Sequence, residues 1–270
     1  MSHPVPIPYP FPWPVEPSVA IPVVITGAVY LRGWGRLQRR LPQRFELRHA
    51  MVFLGGLVTM LLALASPVDA LTHRWLSAHM VQHLLLMVVV PPLLWMGAPV
   101  VPLLVGLPAS VRGMVLVLTR APLGRRLTQW LLHPSVGWIA FALAFWVWHA
   151  PALYDLALDS DLWHHTEHAC FFVSALLFWR PVILAWPAQM VWPRWTMVPY
   201  LGLAMFQSVP LAAILTFSDR VIYTRYSSVE DQALAGVIMW VPGSIPLLLP
   251  ILGVIVELSS ARVAIEGRHA

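Results

Sequence analysis

The sequence predicts an all-α fold, a polytopic membrane helix bundle with about seven transmembrane helices, kinks at prolines and an interfacial segment after the third span. Three observations predict it. The 270 residues are 59% hydrophobic and only 11% charged, with mean hydropathy +0.72, whereas about a quarter of the residues of a soluble domain are charged. Apolar runs near the bilayer-spanning length of about 20 residues recur along the chain. The basic residues gather in alternate connections, as cytoplasmic loops do.

The elements follow in order. Residues 1–16, MSHPVPIPYPFPWPVE, form a proline-rich N-terminal tail. Alternating prolines favour extended polyproline structure, and with neither a basic start nor a compact apolar core the stretch is not expected to be a cleaved signal. A single transmembrane domain is expected over 17–258, with spans near 17–34, 49–66, 76–96, 136–158, 162–184, 195–217 and 232–256. Pro91, Pro92, Pro181 and Pro210 predict kinks or ends within them. Residues 97–132 are interrupted by Pro99, Pro102, Pro108, Arg112 and Arg120, which predicts a segment lying on the membrane surface. A short polar C-terminal tail, 259–270, closes the chain.

Charge supports that count. There is no lysine, and with seven spans and an outer N-terminus all but Arg74, Arg220 and Arg225 of the 17 basic residues fall on the cytoplasmic side. The expected location is a bacterial cytoplasmic (inner) membrane, with a cytoplasmic C-terminus. The net charge of +5 is then explained by topology and anionic lipid, with no nucleic acid partner.

The same topology sorts the histidines. His73, His79, His83, His149, His164, His165 and His168 fall on the outer side or in the outer halves of helices, joined there by acids including Asp155, Asp219 and Asp231. In HMVQHLLLM, residues 79–87, His79, His83 and Met87 recur every four residues and share one helix face. That face is either a polar seam between helices or a soft metal site. His149 in WHAP has an equally plain reading as a histidine at a proline-assisted helix end.

HHTEH, residues 164–168, is more specific, because His164 and His168 can share one ion while Glu167 orients a ligand or shuttles a proton. It also fits H-x-x-E-H, a zinc peptidase pattern, without any other catalytic signature to support it. Imidazole suits copper and zinc, and thioether sulfur favours Cu(I); Met80 and Met87 flank the first pair, with core packing as the alternative reading. Cys170 is the only cysteine, which leaves no CxxC clamp or internal disulfide. Neither a phosphate-binding glycine loop nor a serine elbow is present, and the chain is not expected to be an enzyme.

Four blocks carry a family resemblance: HMVQHLLLMVVVPPLLWMGAP, WHAPALYDLAL, EHACFFVSALLFWRPV, and LTFSDRVIYTRY followed by EDQALAGVIMWVPG. In order and spacing they resemble the multi-spanning CtaG family of cytochrome c oxidase (caa3-type) assembly factors, over about residues 49–256. The proline-rich start and the arginine-rich first loop lie outside the resemblance. It implies a role in making a haem–copper oxidase, with copper delivery or insertion at the outer face as the activity. By motif, His79, His83, His149, His164 and His168 stand at family positions, with Asp155, Asp219 and Asp231 as matching acids. Ala150 in WHAP and Arg180 in FWRP depart from the commoner family residues.

Joined to the residues themselves, this gives an outer basin that holds Cu(I) transiently, with Met80 or Met87 as exchange ligands. The implied partners are oxidase subunits, an extracytoplasmic copper chaperone and membrane lipid. A metal-free scaffold for oxidase subunits and a haem-binding membrane protein are the alternatives.

Overall fold

The computed structural model describes residues 16–266, with side chains through residue 260. All regular structure among them is helical: α1 Pro17–Gln38, α2 Leu47–Leu64, α3 Pro67–Thr72, α4 Leu76–Leu84, a π-turn Leu85–Val89, α5 Val90–Met96, α6 Val100–Gly106, α7 Ala109–Arg120, α8 Pro122–Leu131, α9 Pro134–Trp148, α10 Pro151–Asp159, α11 Asp161–Ile183, a 3-10 turn Arg194–Thr196, α12 Met197–Phe217 and α13 Val229–Glu266. The proposed N-terminal tail lies outside the described residues except for Glu16. Helix α13 runs past the expected boundary at 258, so part of the expected polar tail continues the last helix.

Five segments are long and apolar enough to cross a membrane: Pro17–Gln38, Leu47–Thr72, Leu76–Met96, Arg194–Phe217 and Val229–Ser260. A sixth results if α8 and α9, bent by 60°, act as one span. The expectation of seven departs from this at the fourth and fifth spans. Helix α9 stops at Trp148 after 15 residues, about 22 Å of helix against a hydrocarbon core of about 30 Å. Pro151 then starts α10 at its first turn, where a missing N–H costs nothing. Helix α11 has the length, at 23 residues, but opens with Asp161, His164, His165, Glu167 and His168.

Local chemistry explains the other boundaries. Ser66 accepts from the Val68 N–H at 3.1 Å and Pro67 follows it, so α3 begins with a side-chain cap and a preset φ. Trp75 gives α4 no such cap. Asp231, from the first turn of α13, supplies it instead by accepting from the Leu76 N–H at 2.6 Å and from the Ser77 hydroxyl. Ser228 in turn accepts from the Asp231 N–H at 3.0 Å. The π-turn precedes Pro91 and Pro92. Pro91 has no N–H to offer the carbonyl four residues back, and that carbonyl, on Met87, accepts from Trp179 Nε1 at 2.9 Å. Leu184, in the left-handed region at φ 49°, ends α11.

The predicted surface segment becomes three helices. Helix α6 crosses α1 with backbones in contact: a Cβ on Gly33 would run into Pro102 O, and one on Gly106 into Val29 O. Helices α7 and α8 bury no residue and carry Arg112, Arg120, Arg125 and Arg126. The main core lies among α4, the π-turn, α9, α10, α11, α12 and α13, with Phe171, Phe178, Trp179 and Leu201 fully enclosed. A second cluster joins α1, α2 and α5, where Tyr30 stacks on Phe53 at 3.8 Å and donates to Gly97 O at 2.7 Å.

Candidate metal centre

At the end of the bundle where α4 and α11 begin and α9 stops, four side chains converge. His79 and His83 come from α4, Glu167 and His168 from α11, and one ligand atom of each lies within 4.8 Å of those of the others. All four are buried, Glu167 and His79 at 0% exposure. Buried polar atoms ordinarily have partners. Here His79 Nε2, both ring nitrogens of His83, His168 Nε2 and both Glu167 oxygens have none. His83 Nε2 and Glu167 Oε1 approach to 3.6 Å, beyond a hydrogen bond. The atoms point at a common place without satisfying one another.

Neighbours fix two of the imidazoles. Tyr226 donates its hydroxyl hydrogen to Thr72 O at 2.7 Å, and His79 Nδ1 lies 3.0 Å from that same hydroxyl oxygen. The oxygen is left to accept, so Nδ1 carries the proton and Nε2 presents its lone pair to the group. His149 Nδ1 donates to Phe145 O at 2.7 Å, which likewise leaves Nε2 bare. Tyr223 donates to His149 O at 3.0 Å and stacks on Tyr154 at 4.0 Å. Burial raises the pKa of both Tyr223 and Tyr226, so each keeps the proton these bonds require. Gln232 holds the connecting loop, accepting from the Ile222 N–H at 2.7 Å and donating to Arg220 O at 3.1 Å.

A sequence model of the cytochrome c oxidase caa3 assembly factors (Caa3_CtaG) matches residues 28–261. The chain belongs to this family. The CtaG match is broader than the four sequence blocks suggest, since it takes in the arginine-rich first loop and the second half of α1. Among similar curated proteins, uncharacterized proteins of Mycobacterium bovis and Mycobacterium tuberculosis are each 27% identical over 92% of this chain and 40% of their own length. One from Mycobacterium leprae is 24% identical over the same shares. The chain thus spans about 40% of the length of these relatives. No solved structure matches it.

The structure brings all five expected histidines together. Ring centroids lie 4.3 Å apart for His79 and His83, 5.7 Å for His83 and His168, 5.9 Å for His83 and His149, and 4.2 Å for His164 and His168. His149 and His164 border the four-residue group without entering it. Met80 and Met87 are buried in the main core, and Met87 sits within the π-turn, where four residues no longer make the regular helical step. Asp155 accepts from the Thr224 hydroxyl at 3.0 Å, Asp219 is exposed, and Asp231 caps α4. The sequence reading left out Glu167 as a ligand, and Tyr154, Tyr223 and Tyr226 as the supporting layer. A signal for the last two lay in IYTRY, which puts two tyrosines three apart inside a family block.

Proposed function

We propose that the chain binds copper at the outer membrane face and assists its delivery to a haem–copper oxidase. Membership of an oxidase assembly family supports the destination. The observation that carries the cargo is the partnerless group of His79, His83, His168 and Glu167, whose ligand atoms lie within 4.8 Å of one another. Imidazole is a good copper ligand. Three neutral imidazoles and one carboxylate carry a single negative charge, which Cu(I) cancels and a divalent ion overshoots. A buried site of this kind favours the neutral sum. Ligand atoms this close suit a bare ion, whereas a haem would need room for its macrocycle between facing imidazoles. Glu167 belongs to the ligand group itself, and His164 stands at its edge, which differs from the zinc peptidase arrangement suggested by HHTEH.

In this reading the N-terminus is outside, the C-terminus is cytoplasmic, and the site opens to an extracytoplasmic donor and to the oxidase subunit that receives the ion. The test is copper retention. The full chain is purified in detergent under reducing conditions, loaded with Cu(I) and desalted, alongside a His83→Ala, His168→Ala variant. The expected result is about one copper per parent chain and background copper in the variant, since removing two of four ligands leaves no stable site. No copper above background in the parent would overturn the proposal.

A further inference from the structure

The buried group has an opening. A cleft of about 430 Å³ lies between α1, α2, α3 and α11, and His168 is both part of its wall and part of the buried group. His164 also lines the cleft, is only 9% exposed, and has no partner for Nε2. Its ring stands 4.2 Å from His168, 5.3 Å from His79 and 6.1 Å from His73, and His73 is exposed. Imidazoles therefore run without a gap from solvent to the buried group. Met60 adds a thioether to the same wall, a soft donor of the kind Cu(I) favours and one the buried group lacks. Asp69 and Asp161 line the cleft as well, and acidic walls raise the local concentration of a cation. At its rim Glu16 pairs with His165 at 3.0 Å and accepts from Ser18 at 2.5 Å. The Ser18 bond, with His165 acting the same way, holds the Glu16 carboxyl below its ordinary pKa, so it stays ionised.

We propose that this cleft is the port through which Cu(I) reaches and leaves the buried group, with His164 as the exchange ligand, Met60 as a further donor on the wall and His73 as a donor at the exposed end. This rests on the copper reading of the buried group. An ion leaving His168 without a waiting ligand would have to break a bond before making another. His164 Nε2 has no partner, and in the Nδ1–H tautomer it offers a lone pair first, so each step forms one Cu–ligand bond as another breaks. Copper stays monovalent, and neither an electron nor a proton moves.

The test is the rate of release. Full-length protein loaded with Cu(I) is mixed with excess bathocuproine disulfonate, and formation of the coloured complex is followed in the parent, His164→Gln and Met60→Leu proteins. Equilibrium competition and copper content are measured in parallel. His164→Gln is expected to slow release about tenfold, while affinity stays within about threefold and copper content is unchanged, the pattern of a raised exchange barrier. Met60→Leu slows it to a smaller degree. Plugging the rim provides a second route: a bulky maleimide on Ser18→Cys, in a Cys170→Ser background, also slows release relative to the unmodified protein. Unchanged release in both His164→Gln and the plugged protein overturns the port. A large loss of affinity in His164→Gln overturns it differently, by making His164 a resident ligand. A parent that binds no Cu(I) fails the copper reading first and the port with it.

Discussion

Tyr226 has one hydrogen and gives it to Thr72 O, so its oxygen holds His79 in a single tautomer. Tyr226→Phe keeps the ring and removes that acceptor. Partners of this kind are worth about tenfold to a hundredfold in metal affinity, and the variant is expected to lose that much against a competing Cu(I) chelator while remaining folded. Glu167→Gln tests the charge argument in the same assay. It keeps the shape and removes the negative charge, so Cu(I) binding should weaken, and unaltered affinity would show that the carboxylate does not offset the ion. At this scale the histidines were legible because HMVQH and HHTEH each place imidazoles four apart on one helix. Glu167 was not, because a carboxylate one residue from His168 lies about 100° round the helix and reads as a flank. In the fold its carboxylate nonetheless shares one place with His168, a ligand atom of each lying within 4.8 Å of those of His79 and His83 from α4.

Elements are held by ties that local sequence does not announce. The cap of α4 comes from Asp231, at the start of α13. Loss of an N-cap costs about 0.5–2 kcal/mol, so Asp231→Ala should lower the melting temperature in detergent and also weaken copper binding, because His79 is one turn from the freed end. An equal melting temperature would mean that water replaces the carboxylate without cost. The crossing of α1 and α6 is stricter. Gly106→Val places a branched side chain where Val29 O already stands, beyond the about 1–3 kcal/mol of ordinary overpacking, and should abolish recovery of folded monodisperse protein. Gly202→Ala, with nothing within 4 Å of the added carbon, is the matched control. Gly202 suggests helix packing from sequence as readily as Gly106 does; only the approach of another backbone separates them. Five of the seven expected spans were legible from hydropathy; the proline in WHAP signals the halt of α9 at Trp148, but the apolar run on to 158 reads as a single span and conceals it.

For the whole molecule, the proposed orientation rests on the arginine distribution. Gln43→Cys and Ser227→Cys, each in a Cys170→Ser background, should react with a membrane-impermeant maleimide from opposite sides, Ser227→Cys from outside. The reverse pattern would put the histidine group on the cytoplasmic face and remove the route to an outer copper centre. Only five or six segments meet the length and composition of a span: α9 is apolar but stops after 15 residues, whereas α11 has the length and gives up apolar character where it brings imidazoles and carboxylates to the site. The shortfall at α9 and α11 falls on elements that build the metal group and its border.

The ties from Tyr226 to His79 and from Asp231 to Leu76 join residues 147 and 155 positions apart. A growing chain reaches α4 long before either partner has been synthesised. Until then α4 has an uncapped first turn, and His79 is free to take either tautomer. The imidazoles of α4 and α11 can come together earlier, but their arrangement depends on residues synthesised after both helices. A chain made only as far as α11 therefore presents the imidazoles less ordered than one that includes Tyr226 and Asp231, and under the proposed function it would hold copper more weakly.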